Sequence, residues 1–130
     1  MPVIRLDHYN IRVPLSQLEA LCRFYSDVLG LTVGERPPFR TTGYWLYAGE
    51  HPLLHLVAYE PGPADAAAPA STGRFNHIAL KCGDFDAVTG RLDAHGVAYE
   101  VEEVPLVKQR QIFFTDPAGV NVELNFDATS

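Results

Sequence analysis

The sequence predicts an α+β fold in which one domain is built from two βαβββ modules. In several short segments apolar residues alternate with polar ones, which is the period of a strand with one buried face. Two other segments, one in each half of the chain, carry apolar residues at helical spacing. The segments follow in the same order in both halves, which indicates an internal repeat.

The repeat extends to individual residue types. LDHYNIRV (residues 6–13) and FNHIALKC (residues 75–82) share the order apolar, polar, His, apolar, small, apolar, basic, apolar. LLHLV (residues 53–57) aligns with NVELN (residues 121–125), so a histidine in the first module corresponds to a glutamate in the second. Because neither half could bury its sheet alone, we expect the two modules to form one curved mixed sheet with the helices outside.

The first module, residues 3–60, is expected to begin with a strand over residues 3–13, in which His8 and Asn10 share one face. Ser16 and Glu19 have the spacing of a capping box, in which both side chains satisfy free amides at a helix start. Gly30 is the expected stop of that helix. Three further strands are expected, over residues 31–35, 44–48 and 53–59, with a turn at residues 49–52 between the last two.

A linker is expected over residues 60–74, because residues 60–73 contain three prolines and no bulky apolar residue. The second module, residues 75–127, repeats the order of the first. Asp84 is expected to cap its helix and Gly96 to end it. Its strands are expected over residues 75–82, 97–101, 109–115 and 120–126, the last one after the turn Asp116-Pro117-Ala118-Gly119.

Charge and composition exclude several classes of partner. The 130 residues carry 16 acids against 10 bases, a net charge of −6, with no basic run, so nucleic acid and anionic membrane surfaces are not expected partners. The sequence has no apolar run that could span a membrane and no apolar leader at its start. Two cysteines do not make a disulfide framework, so a reducing, cytoplasmic setting is expected.

Four side chains of the metal-ligand type fall at matched positions of the two modules, namely His8, His55, His77 and Glu123. Imidazole and carboxylate groups suit Fe, Mn, Ni and Zn. We expect each of the four to lie in the centre of a strand, where a rigid backbone could hold a metal ion. Taken singly, each histidine could be a hydrogen-bonded core residue and Glu123 a solvated acid. The matched set favours a shared metal site.

These motifs, together with FYSDVLGL (residues 24–31) and FFTDPAGVNVEL (residues 113–124), resemble the vicinal oxygen chelate superfamily. The superfamily includes glyoxalase I, fosfomycin-resistance thiol transferases, extradiol dioxygenases, methylmalonyl-CoA epimerase and bleomycin-binding proteins. The resemblance implies a divalent metal in a U-shaped cavity, a small-molecule substrate with vicinal oxygens, and a homodimer. It implies that His8, His77 and Glu123 form a two-histidine, one-carboxylate set.

The resemblance leaves the reaction open, and position 55 bears on it. His55 falls where glyoxalase I carries a glutamate, so it would be a fourth ligand or a base, and Glu123 would be both ligand and catalytic group. A glyoxalase-type isomerisation needs a carboxylate to move a carbon-bound proton. The two-histidine, one-carboxylate set slightly favours dioxygenase-like chemistry. The alternatives are a glyoxalase-type lyase or isomerase, a fosfomycin-type thiol transferase, and a non-catalytic antibiotic-binding dimer.

Substrate-binding residues are expected around the metal. Asn10 shares the face of His8, and Lys108 and Arg110 precede the Asp116 turn, where they could bind an anionic substrate. The alternative for the two cations is a solubilising role at a strand edge. Aromatic residues could wall an apolar pocket or belong to the core, namely Phe39, Tyr44, Trp45 and Tyr47.

Overall fold

The computed structural model describes residues 2–60, 74–104 and 109–127, in two compact units, Met1–Ala68 and Pro69–Ser130. The first unit contains, in order, β1 (Tyr9–Pro14), α1 (Leu15–Asp27), β2 (Thr32–Gly34), β3 (Gly43–Ala48) and β4 (His51–Tyr59). The second contains β5 (Ile78–Lys81), α2 (Phe85–Ala94), β6 (Glu100–Val104), β7 (Gln109–Thr115) and β8 (Asn121–Asp127). The predicted α+β class with two βαβββ modules is confirmed.

Each unit has its own four-stranded mixed sheet, and the two sheets have the same topology. The strand orders are β1-β4-β3-β2 and β5-β8-β7-β6. In each sheet the first strand pairs in parallel with the fourth, and the remaining neighbours are antiparallel. The helix is the crossover that carries the chain away from the first strand, after which the other three strands form a meander.

The strand register supports the repeat that the sequence indicates. Asn10 on β1 lies opposite His55 on β4, and Ala79 on β5 lies opposite Glu123 on β8. Since His8 and His77 each precede the opposed residue by two positions, the pairs His8/His55 and His77/Glu123 are structurally equivalent.

A helix covers one face of each sheet. In the first unit α1 packs against β1, β3 and β4, and in the second the ring of Phe85 on α2 packs edge-on against Phe126 at 5.2 Å. Strand alternation places the fully buried residues on the helix side, including Leu46, Leu54, Leu56, Ile112, Leu124 and Phe126. His55 and Glu123 fall at the intervening positions and belong to the opposite face of their sheets.

The capping box predicted for α1 is wrong. The helix begins directly after β1, so Pro14 is its N-cap residue and no side chain caps it. Ser16 is therefore the second residue of the helix, too far along to act as the cap. The carboxylate of Glu19 instead accepts a hydrogen bond from the Tyr44 hydroxyl on β3. The predicted stop is right, since Gly30 has φ +76° and its amide bonds the Ser26 carbonyl at 3.1 Å.

Three strands begin three or more residues later than predicted. β1 and β5 begin at Tyr9 and Ile78, so His8 and His77 each lie one residue before a strand and not at its centre. β1 starts where its pairing with β4 starts. The strand expected over residues 97–101 is found at Glu100–Val104, because the Val97 amide still bonds a carbonyl of α2, that of Leu92, at 3.0 Å.

Other local predictions are confirmed. The Asp84 carboxylate caps α2 by accepting from the Ala87 amide at 3.2 Å. Between β3 and β4, Gly49 has φ +62° in a turn shorter than predicted, because His51 already belongs to β4.

The predicted linker, apart from its end residues, lies outside the described residues, as does Lys108. No helix in the described ranges has the length and apolarity that crossing a membrane would require.

Candidate metal and substrate site

His77 and Glu123 approach each other in the second unit. His77 is exposed just before β5, and Glu123 is half-buried in the middle of β8. The His77 Nε2 atom lies 3.7 Å from Glu123 Oε1. Two ligand atoms that each lie about 2.1 Å from one ion can be up to about 4.2 Å apart, so this pair fits a common metal ion.

The orientation of the His77 ring is fixed by a hydrogen bond on its Nδ1 atom. Its Nδ1 atom donates to the side-chain oxygen of Asn76 at 2.7 Å, which leaves the Nε2 lone pair towards Glu123. The backbone oxygen of Asn76 accepts from the Asn121 amide group on β8 at 3.0 Å. The residue before the histidine is thus tied to the strand that carries the carboxylate.

Glu123 is also oriented by neighbours on its own sheet. The Asn125 side-chain amide donates to Glu123 Oε2 at 2.8 Å, and Gln111 on β7 donates to the Asn125 side-chain oxygen at 3.0 Å. This chain of hydrogen bonds engages one carboxylate oxygen. Oε1 remains the atom directed at His77.

His8 in the first unit has the same kind of support. Its Nδ1 atom donates to the Asp7 carboxylate at 2.7 Å, and this hydrogen bond lowers the pKa of Asp7. The Asp7 carbonyl accepts from the ring of His51 on β4. Asp7 and Asn76 are not among the site residues expected from the sequence, although the repeat shows a polar residue before each histidine.

His55 is placed differently from the other three candidates. It is buried, with 9% of its surface exposed, and its ring stacks between those of His8 at 3.8 Å and Trp45 at 4.0 Å. Burial lowers its pKa, and its Nε2 atom lies 3.2 Å from the Pro52 carbonyl, to which it can donate. An imidazole binds a metal in its ring plane, so two stacked rings do not direct lone pairs at one ion.

A cavity of about 420 Å³ opens on this face of the first unit. Its lining includes the stacked rings together with polar residues, namely His8, Asn10, Arg36, Phe39, Trp45 and His55. The predicted substrate residue Asn10 and two of the four predicted aromatic residues therefore share one cavity. Tyr44 and Tyr47 do not line it; their hydroxyls donate to Glu19 and to the Glu35 carbonyl.

Arg36 is a lining residue that the sequence analysis missed. Its Nη1 and Nη2 atoms donate to the backbone and side-chain oxygens of Thr41 at 2.9 and 2.8 Å. Its guanidinium carbon lies 5.0 Å from the centre of the Phe39 ring. The available signal was an arginine in the loop between two strands of a module, where Arg40 is a second one.

Arg110 lies away from Glu123, on the other face of the second sheet. Its position on β7 is opposite the buried Phe126, and its guanidinium carbon lies 3.8 Å from the centre of the Phe85 ring on α2. Side chains two residues apart on a strand share a face, so Arg110 lies on the same face of β7 as Ile112, which faces the helix. Arg110 is therefore not placed for the substrate role expected from the sequence.

The sequence matches a known superfamily along nearly all of its length. Residues 5–124 match the profile of the Glyoxalase/Bleomycin resistance protein/Dioxygenase superfamily. The chain belongs to this superfamily. No protein of curated function matches the chain.

Solved structures show the superfamily fold at low sequence identity. A glyoxylase/bleomycin resistance protein/dioxygenase domain from a Frankia species has a TM-score of 0.75 and 18% identity, with 96% of this chain and 98% of that chain covered. The antibiotic-binding protein TnmS3 from a Streptomyces species has a TM-score of 0.65 and 24% identity, with 98% of both chains covered.

A third structure carries a metal. It is a mutant of the fosfomycin resistance protein FosX from Listeria monocytogenes, in complex with Mn(II) and 1S,2S-dihydroxypropylphosphonic acid. Its TM-score is 0.71 at 16% identity, with 96% of this chain and 93% of that chain covered. Divalent metals thus occur in the glyoxalase superfamily.

The pair His77 and Glu123 has donor atoms that fit such an ion. In neither unit do the described residues group three His, Cys, Asp or Glu side chains as a metal cluster. The second unit offers the pair His77 and Glu123, and the first offers His8 with its Nδ1 atom engaged by Asp7. Imidazole and carboxylate groups suit Fe, Mn, Ni and Zn.

Proposed function

We propose that this protein is a divalent-metal-dependent enzyme of the glyoxalase/dioxygenase superfamily whose small substrate binds the ion through two vicinal oxygens. The observation that carries the proposal is the matched support of two histidines. Asp7 and Asn76 take the Nδ1 hydrogens of His8 and His77, and Glu123 lies 3.7 Å from the free nitrogen of His77. Histidines that only fill a core would not need an Nδ1 acceptor on the preceding residue at equivalent positions of both modules.

His8, His77 and Glu123 would hold the ion. When bound, it supplies a Lewis acid that polarises substrate oxygens. This requires the two modules to form one domain with a shared U-shaped cavity, and we extend the proposal to that arrangement and to a homodimer. Two histidines and one carboxylate form the facial set of non-haem Fe(II) oxygenases, which favours dioxygenase-type chemistry.

His55 is proposed to act on protons in the first unit's cavity. With its Nε2 hydrogen donated to the Pro52 carbonyl, its Nδ1 atom carries the lone pair of a neutral ring. That atom could take a proton from a substrate hydroxyl, while Asn10, opposite on β1, offers its side-chain amide to the same substrate. A histidine at this position replaces the carboxylate that glyoxalase-type isomerisation needs, which weighs against that reaction.

Elemental analysis of the tag-free protein tests the proposed metal site. We expect about one equivalent of Fe, Mn, Ni or Zn per chain in the wild type, and loss of that metal in both His8→Ala and Glu123→Ala, because three ligands are shared by one ion. His95→Ala is the matched control, since His95 is exposed beyond α2 and bonds only the Arg91 carbonyl through its ring. Absence of metal in the wild type after reconstitution with each ion would refute the proposal.

A second candidate function is ligand binding without chemistry. It is favoured by the stack of His8, His55 and Trp45 along one cavity, because such a wall suits an aromatic ligand. TnmS3, which shares the fold, is an antibiotic-binding protein. A ligand that remains bound and unchanged after a chelator has removed all metal would favour this candidate over the enzyme.

A further inference from the structure

Arg36 brings a positive charge to the cavity of the first unit. Within the described ranges it forms no ion pair, and its Nε atom is buried with no hydrogen-bond partner. A guanidinium has five N–H donors, and those bonded to Thr41 account for two. The second hydrogens of Nη1 and Nη2 are not bonded to Thr41, so the guanidinium keeps donors for an anion that enters the cavity.

The rest of the lining is aromatic. Phe39 lies under the guanidinium and is 54% exposed, and its ring centre is 6.2 Å from that of Trp45. Trp45 in turn stacks on His55. A ligand held at Arg36 would therefore contact ring surfaces, which favour a planar apolar body.

The charge of the lining favours one negative charge on the ligand. Asp7 also lines the cavity, and its carboxylate accepts the hydrogen bond from His8. Because the Asp7 carboxylate is already engaged by His8, the guanidinium of Arg36 is the charge left for a ligand, and one carboxylate matches its single positive charge.

We propose that the first unit's cavity binds a small planar aromatic monocarboxylate, with the carboxylate on Arg36 and the ring against Phe39 and Trp45. This names the substrate class of the proposed function. It rests on that function only for the chemistry after binding, since none of the recognising residues is a proposed metal ligand. The volume of about 420 Å³ falls in the range of small-molecule sites.

Fluorescence of Trp45, the sole tryptophan, reports directly on this cavity. Metal-free protein is titrated with benzoate, with benzamide as the uncharged analogue and with phenylphosphonate as the dianionic one. We expect saturable quenching by benzoate and binding of benzamide weaker by at least about 10-fold, because the charge-assisted hydrogen bond is lost. Equal binding of benzamide, tighter binding of phenylphosphonate, or no saturable binding of benzoate would overturn the proposal.

Variants locate the anion site. Arg36→Gln should weaken benzoate binding by at least about 10-fold. The benzoate affinity of Arg36→Lys should lie between those of the wild type and Arg36→Gln, because lysine keeps the positive charge and loses the planar set of donors. Arg23→Gln is the control, because it removes the same charge from the exposed side of α1. Unchanged affinity in folded Arg36→Gln would refute the role of Arg36.

The metal analysis is independent of these titrations. If metal is absent but benzoate binding depends on Arg36, the enzyme proposal fails and the ligand assignment stands. If metal is present but benzoate does not bind, only the ligand assignment fails.

Discussion

Asp7 and Asn76 have the same role, although one side chain is a carboxylate and the other an amide. Each precedes a repeat histidine, accepts its Nδ1 hydrogen, and has its own carbonyl held by a side chain of the fourth strand of the unit. A partner on Nδ1 fixes the tautomer and the ring orientation, which are the properties that a ligating histidine requires. These residues are therefore positioning residues of the proposed metal site.

Asn76→Ala tests this positioning role. We expect the affinity for the reconstituting metal to fall about 10- to 100-fold, because the Nδ1 hydrogen loses its acceptor and the His77 ring is free to turn. Competition with a chromophoric chelator measures the affinity. Asn76→Asp keeps an acceptor and should retain metal binding near the wild-type level. Equal losses in both variants would mean that Asn76 matters for folding and not for the orientation of His77.

The buried ring of His55 makes stability depend on pH. Burial lowers its pKa in the folded state below the ordinary value of 6.5, so the unfolded chain takes up a proton more readily as the pH falls. The free energy of unfolding of the metal-free protein should thus decrease as the pH is lowered through about 6.5. Urea unfolding at a series of pH values measures this.

Two variants separate His55 from the other titrating groups. His55→Gln should flatten the dependence of the unfolding free energy on pH, whereas His95→Gln, at an exposed position beyond α2, should leave the wild-type dependence in place. A wild-type slope in His55→Gln would show that another group is responsible.

At the scale of elements, the β7–β8 connection shows how local chemistry sets a register. The buried carboxylate of Asp116 accepts from the amides of Ala118 and Val120, both at 2.9 Å, and Gly119 has φ +88°. This turn aligns Phe113 opposite Glu123. It therefore helps to place the proposed carboxylate ligand on the face away from α2.

Asp116→Ala should lower the free energy of unfolding by about 2 kcal/mol, because two amides lose a charged acceptor in a buried turn. Chemical denaturation at neutral pH measures the loss. The control is Asp127→Ala, whose carboxylate is exposed and pairs with Lys81 at 2.5 Å. An exposed ion pair contributes at most about 1 kcal/mol. Equal losses in the two variants would contradict the role assigned to the turn.

At the scale of the whole molecule, the proposed functions are distributed unevenly between the units. The first unit contains the aromatic cavity and His8, and the second contains His77 and Glu123. A three-ligand centre therefore requires both modules, whereas recognition of an aromatic acid requires only the first. The negative net charge of −6 makes the single arginine in that cavity the feature that would select an anion.

The module order, the strand faces and the turns could be predicted from the sequence alone. His55 and Glu123 could be matched because side chains alternate with a period of two and register depends on that alternation. Asp84 and Asp116 could be assigned because capping and turn preferences act over a few residues. The superfamily could be recognised from motifs that cover nearly the whole chain.

Which side chains meet emerged only from the folded chain. His55 is stacked between His8 and Trp45, and Arg36 reaches from a loop into their cavity. The expected capping box is replaced by an uncapped helix start. The physical reason is that such contacts join residues far apart in the chain, through cross-strand register and side-chain rotamers, and a local sequence pattern encodes neither.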